Sequence, residues 1–337
     1  MFFPASARRR ALPLGCLLAA FALAALPGCS GGAEPATDDA RPGASDPASP
    51  ANPSDPSDPS GPPGPTGTAG AAPDGDQLAG PFGALEDEFD ARLGVHALDT
   101  GTGAEVAHRA DERFAYASTF KALLVGAVLR ERGAAGLDEV VTYTADDLLD
   151  NSPVTENFVE SGMSMRELCA ATLWYSDNAA ANLLLEVLGG PDGLEAAWRE
   201  LGDDTTEMDR YEPELSEGTP GDVRDTSTPR ALAADLRALL LGDALGEPER
   251  HLLRQWMETN TTGETLIRAG LPGQWAVADK SGTAGHGGRN DIAVVWPDDG
   301  GEPIVLAVLS SRDRPGAERD DALVARAATV AVDALGR

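Results

Sequence analysis

The chain predicts an α+β protein: an antiparallel sheet formed from both terminal segments with flanking helices, plus an inserted all-helical subdomain. Three features point there. Strand-like runs of apolar and β-branched residues occur at positions 93–99 and then only near the end, at 275–281, 291–296 and 304–310. From Ser118 to about Thr259 the apolar spacing is instead helical. Glycine-rich turns join the late strands, which makes consecutive strands neighbours. The sheet region thus covers about residues 80–115 and 262–337, with the helical region at about 118–260 between them. Ligand sites favour such junctions.

The first 78 residues are of another kind. Arg8-Arg9-Arg10 precede a 16-residue apolar run at 11–26 that Pro13 and Gly15 interrupt. The run is short for a membrane span and has the anatomy of a signal peptide, residues 1–28. Leu26-Pro27-Gly28-Cys29 resembles the lipobox of bacterial lipoproteins. That resemblance implies cleavage before Cys29, lipidation of the cysteine, and an exported chain anchored on the outer face of the cytoplasmic membrane, with a fraction released outside. The arginines leave the general and twin-arginine export routes both open. Residues 30–78 hold eleven prolines and no aromatic side chain, so they cannot bury a core. With Cys29 they read as a flexible tether of roughly 40 Å mean reach.

The folded part, residues 79–337, starts with Phe82, Leu85, Phe89 and Leu93 at helical spacing, with acidic residues opposite. The strand at 93–99 follows, and Asp99-Thr100-Gly101-Thr102-Gly103 reads as the turn of a hairpin returning through His108. An apolar run from Ala122 to Leu129 reads as a buried helix. Ser164-Met165-Arg166-Glu167 is a capping box, flanked by Met163 and Leu168 at the positions of a hydrophobic staple. Thr228-Pro229 opens another helix, which Gly242 closes. After the three late strands, a helix over about 319–335 ends the chain.

Composition narrows the function. A net charge of −29 argues against nucleic acid and against charge-driven binding to an anionic membrane, so an anionic ligand would need a local cationic pocket. Of three cysteines, Cys16 lies in the leader and Cys29 in the lipobox, which leaves Cys169 alone in the folded part with no partner for a disulfide. The four histidines, His96, His108, His251 and His286, have no metal-ligand spacing, so neither a metal nor another cofactor is expected.

The chemistry starts at Ser118-Thr119-Phe120-Lys121. A serine and a lysine three apart share one helix face, which places an amine beside a hydroxyl at a helix start. Among 26 basic residues the only lysines are Lys121 and Lys280; every other one is arginine. Arginine stays protonated, whereas a buried lysine can lose its proton and act as a base. Further along stand Ser176-Asp177-Asn178, then Arg210-Tyr211-Glu212-Pro213-Glu214-Leu215, then Lys280-Ser281-Gly282-Thr283. Ser-x-x-Lys alone is a weak signal, and Ser-Asp-Asn alone is more often a helix cap. In this order, and with both lysines inside them, the motifs resemble those of the class A serine β-lactamases over about residues 80–337.

That resemblance implies hydrolysis of the β-lactam ring of penicillins and cephalosporins through a serine acyl-enzyme, and so antibiotic resistance. It implies Ser118 as nucleophile, Lys121 as a group that takes its proton, Ser176 as the relay to the leaving nitrogen, and Glu212 as the base that activates the hydrolytic water. Asn178 would hold the substrate's side-chain amide, while Lys280, Ser281, Thr283 and Arg289 would receive its carboxylate. The backbone N–H groups of Ser118 and Thr283 would form the oxyanion hole. The family also implies an ion pair of Arg210 with Asp225, a cis bond between Glu212 and Pro213, and a monomer.

Two positions depart from the family pattern. Ser216 stands where asparagine is usual, and Asn151 where an aromatic residue commonly lines the rim. Two rivals share the serine and lysine: a penicillin-binding D-alanyl-D-alanine peptidase, and a sensor that remains acylated. Glu212 argues against the first, and the lack of transmembrane signalling segments in this sequence argues against the second.

Overall fold

The computed structural model describes residues 75–337. The leader, Cys29 and most of the tether lie outside the described residues. Helix α1 (Gly75–Phe89) begins four residues before the expected start of the folded part. Strands β1 (Arg92–Asp99) and β2 (Glu105–His108) form the expected hairpin. After the short strand β3 (Phe114–Ala115) comes the central helix α2 (Phe120–Gly136). Around it lie the pair β4 (Val140–Val141) and β5 (Met163–Ser164), then α3 (Met165–Trp174), α4 (Asn178–Leu188) and α5 (Pro191–Leu201). The chain continues through β6 (Thr226–Ser227), α6 (Pro229–Leu240) and α7 (Glu247–Glu258). Strands β7 (Ala276–Thr283), β8 (Arg289–Trp296) and β9 (Ile304–Ser311) precede the final helix α8 (Asp321–Ala334).

The main sheet runs β2-β1-β9-β8-β7, antiparallel throughout, so the late strands pair with the early hairpin. Both faces are covered. On β9, Ile304, Leu306 and Val308 join a cluster with α1 and α8, while Val305, Ala307 and Leu309 join the cluster built by α2 to α7. Strands buried on both faces read as apolar runs, which is why β8 and β9 were visible in the sequence. The helical region is not an independent unit, since its core is continuous with that face of the sheet through Ala278, Ile292 and Val294.

Helix ends follow local chemistry. The Ser164 side chain accepts from the Glu167 N–H at 3.3 Å, and the Glu167 carboxylate accepts from the Ser164 N–H at 2.8 Å, which completes the capping box. Thr228 caps α6 in the same manner, accepting from Ala231 N–H at 3.2 Å with Pro229 as first helical residue. Helix α2 is buried on all sides from Phe120 to Leu129, as a helix at the centre of a domain must be.

Strand β7 extends to Thr283, two residues beyond the expected strand, because Lys280-Ser281-Gly282-Thr283 is held by backbone pairing to β8 rather than by apolar packing. It is an edge strand, and its free edge lies against the turn at 117–119 that carries Ser118. A Cβ on Gly282 would sit 2.8 Å from Tyr116 O and 3.2 Å from Thr119 N, closer than backbone atoms permit. Only glycine lets the strand approach so near. Gly282→Ala is therefore expected to push β7 from the turn. The fold should survive with a loss of about 1–3 kcal/mol, typical of overpacking, while the reactivity of Ser118 toward an acylating substrate falls at least about a hundredfold, the usual cost of displacing one backbone donor beside a nucleophile. Thermal unfolding and acylation rate measured on the same sample check both halves.

Candidate active site

Ser118 lies on a 3-10 turn, Ala117–Thr119, leading directly into α2. Ala117 before it adopts φ +47°, a left-handed conformation unusual for a residue with a Cβ and one that recurs at functional turns. Lys121 follows on the first turn of α2 and is fully buried, and its Nζ lies 3.1 Å from Ser118 Oγ. Ser176 and Asn178 come from the start of α4, where Asp177 is the helix cap: its carboxylate accepts from Ala180 N–H at 2.9 Å and from Val154 and Thr155 N–H at 3.0 Å. The middle residue of Ser176-Asp177-Asn178 thus fixes the scaffold, and the outer two face the cavity.

Lys121 Nζ also meets Ser176 O at 2.9 Å, Asn178 Oδ1 at 2.6 Å and Glu212 Oε1 at 3.1 Å. The Asn178 amide donates to Asp150 O at 3.0 Å, so its oxygen must face the lysine. Burial pushes the Lys121 amine below the ordinary lysine range, against the opposing pull of the Glu212 carboxylate. A neutral amine would keep its two N–H bonds to Ser176 O and Asn178 Oδ1 and leave its lone pair for the proton of Ser118.

Glu212 is buried, and its peptide bond to Pro213 is cis, as expected. Oε1 accepts from Ser118 Oγ at 3.1 Å and Oε2 accepts from Ser216 Oγ at 2.9 Å. The loop that holds it is closed at its base by Arg210, which donates to Asp225 Oδ2 at 2.5 Å, and by pairing of β3 with β6 immediately after Asp225. One residue the motifs did not single out completes the grip. Asn182 donates to Glu212 O at 2.9 Å and accepts from Glu212 N–H at 3.0 Å. It lies four residues after Asn178 on the same face of α4, a spacing that could have revealed it.

Lys280 enters from β7, fully buried, with Nζ 3.3 Å from Ser176 Oγ and 2.8 Å from Ser281 O. Burial, then the neighbouring charge of Lys121, lowers its pKa to about 7. Ala284 N–H donates to Gly288 O at 3.1 Å across the turn to β8. Because donors alternate along an antiparallel strand, the N–H of Thr283 points the other way, to the open edge beside Ser118. Arg289 on β8 donates to Thr283 Oγ1 at 2.9 Å and to Asp321 Oδ1 at 2.6 Å. Asp321 offsets part of its charge, and Arg319 joins it at the cavity wall. Asn151 lies at the rim and donates to Ser176 O at 2.8 Å. The aromatic surface there comes instead from exposed Tyr175.

Ser118, Ser176, Asn178, Glu212, Thr283 and Arg289 line one cavity of about 440 Å³, with Thr262 and Arg319 at its wall. No cluster of metal-ligating side chains occurs among the described residues. Cys169 lies in the helical core, where burial raises its thiol pKa, away from the cavity.

A family model described as "Beta-lactamase enzyme family" matches residues 78–335. The chain belongs to the β-lactamase family. A β-lactamase of Amycolatopsis lactamdurans is 57% identical over 79% of this chain and 88% of its own length, and one of Bacillus licheniformis is 54% identical over 75% and 82%. The crystal structure of a class A β-lactamase from Clostridium kluyveri superposes with a TM-score of 0.76 at 49% identity, covering 78% of this chain and all of that one. The β-lactamase fold predicted from the motifs is therefore the fold found, in its class A form.

The position of Lys280 sets a pH dependence for this β-lactamase. With a pKa of about 7 in the free site, Lys280 is charged below that pH and neutral above it. Affinity for a substrate carboxylate should decline as pH rises from neutral into the alkaline range, visible as a fall in kcat/KM carried by KM. Lys280→Arg keeps the charge throughout, so its profile should lose that alkaline fall. A fall that persists unchanged in the arginine variant would assign it to another group.

Proposed function

We propose that the chain opens the β-lactam ring of penicillins and cephalosporins through an acyl-enzyme on Ser118, working as a monomer. The observation that carries this reading is the convergence of two proton acceptors, Lys121 Nζ and Glu212 Oε1, each 3.1 Å from Ser118 Oγ. As Ser118 attacks the lactam carbonyl its proton passes to one of them, and the charge developing on the carbonyl oxygen is met by the N–H groups of Ser118 and Thr283.

Ser176 then supplies a proton to the departing ring nitrogen. Its oxygen lies 3.3 Å from both Lys121 Nζ and Lys280 Nζ. An oxygen that accepts an N–H from a neighbouring amine keeps its own proton for the cavity, and whichever neighbour is protonated can replenish it. Lys280, Ser281, Thr283 and Arg289 hold the substrate carboxylate, Asn178 its side-chain amide, and Asn151 the rim.

Release of the product falls to Glu212. Ser216 donates its hydroxyl proton to Oε2, which leaves its oxygen lone pairs, rather than a second donor, facing a water beside the ester. Glu212 takes a proton from that water as it attacks the acyl carbon. Replacing Glu212 with Gln removes the base and little volume. Mixed with a penicillin, Glu212→Gln should accumulate a covalent adduct seen by mass spectrometry, with turnover lower by about 10²–10⁴-fold, whereas the wild type turns over without accumulation. A wild type that stays stoichiometrically acylated would favour the binding protein or the sensor.

The enzyme works outside the cytoplasmic membrane in this reading, held by a lipid on Cys29 and the proline-rich tether. Cys29→Ser should shift activity from the membrane fraction to the medium, or leave an uncleaved leader. Membrane association that persists in that variant with the leader cleaved would remove Cys29 from the role.

A further inference from the structure

Beneath the carboxylate-binding edge of β7, a row of hydrogen bonds leads from Ser281 into the core. Asn260 is buried, and its amide has one possible orientation. Its Nδ2 faces the acceptors Asp279 O at 3.3 Å and Asp279 Oδ2 at 2.9 Å, and its Oδ1 faces the N–H of Thr262 at 2.9 Å. The loop wraps Asp279 so tightly that a Cβ on Gly263 would fall 1.6 Å from Asp279 Oδ2. Asn260 Oδ1 is thus a fixed acceptor.

Thr262 Oγ1 lies between that acceptor, at 2.8 Å, and Ser281 Oγ, at 2.7 Å. Thr262 has one hydroxyl proton and Ser281 has one, which allows two arrangements. In the first, Thr262 donates inward to Asn260 and Ser281 donates to Thr262, so the cavity meets only lone pairs of Ser281. In the second, Thr262 turns its proton to Ser281, and Ser281 turns its own into the cavity. Asn260 Oδ1 keeps the Thr262 N–H in both, so the reversal leaves no buried acceptor without a partner. The first arrangement repels an anion and the second binds it.

We propose that Thr262 is a positioning residue for substrate selection: its hydroxyl reverses on binding and turns Ser281 from an acceptor into a donor for an anionic group on the substrate. The inference rests on the reading of Ser281 as a carboxylate contact and adds the group that sets the direction of its proton. The chain Thr262 to Ser281 to carboxylate also strengthens the last bond, because a hydroxyl that accepts one hydrogen bond donates the next more strongly.

The test compares a penicillin carrying its free carboxylate with the neutral methyl ester of the same compound. Thr262→Val keeps the shape and removes the hydroxyl; Thr262→Ser restores it. With the acid, Thr262→Val should raise KM about tenfold, with kcat within about twofold, and Thr262→Ser should return KM to near the wild-type value, as befits one charge-assisted hydrogen bond. With the ester, all three should match within about twofold. In a Ser281→Ala background, Thr262→Val should add no further loss. A loss in Thr262→Val that is equal for acid and ester, or that persists in full beside Ser281→Ala, overturns the proposal. Should Ser281→Ala alone cost acid and ester equally, the carboxylate reading of Ser281 fails, and the role of Thr262 fails with it.

Discussion

The buried amine of Lys121 is the constraint on which the rest of the molecule depends. Taking a lysine fully out of water favours its neutral form, and a lone pair then becomes available beside Ser118. The cost of holding it there is met by two fixed acceptors, Ser176 O and Asn178 Oδ1, that stay bonded to the amine in either protonation state. The carboxylate of Glu212 provides the counter-charge when the amine is protonated. Helix α2 supplies the burial, α4 the acceptors and the loop 210–225 the carboxylate, so three remote segments must meet at one atom.

The sheet makes a different contribution. Its edge strand β7 brings Lys280, Ser281 and the Thr283 N–H to the other side of Ser118, and the missing side chain of Gly282 sets how closely they approach. The ion pair of Arg210 with Asp225 does the same for Glu212, since Asp225 also binds the N–H groups of Asp209 at 2.9 Å and Arg210 at 3.0 Å. Rigid placement by backbone contacts, rather than by long side chains alone, is what a preorganised polar site requires.

Much of this was legible in the sequence because several independent signals coincided. The doubly buried strands appeared as apolar runs, the capping box at Ser164 and the Thr228-Pro229 start marked helix ends, and the two lysines stood out in an arginine-rich chain. The fates of Thr262 and the Arg289–Asp321 pair were not legible, whereas the i+4 spacing of Asn182 from Asn178 was there to be read. Each depends on a contact between residues distant in the chain, as with Thr262 and Ser281 across 19 positions and Arg289 and Asp321 across 32. The ends of β7 and β8 were hidden for a related reason: their polar residues are strand only by pairing with each other. The early start of α1 lies where composition alone suggested tether.

One feature of this chain has a consequence for its life among reactive drugs. Strained lactams acylate ordinary protein amines slowly and without selection, and exposed lysines are the usual targets. Here both lysine side chains are fully enclosed, and all 24 remaining residues of the lysine and arginine total carry a guanidinium, a far poorer nucleophile. The surface therefore offers the antibiotic no lysine amine on which to leave a permanent scar. An enzyme that meets large amounts of acylating agent is thus spared cumulative damage of that type, and the same trait would make it resistant to coupling reagents that target lysine.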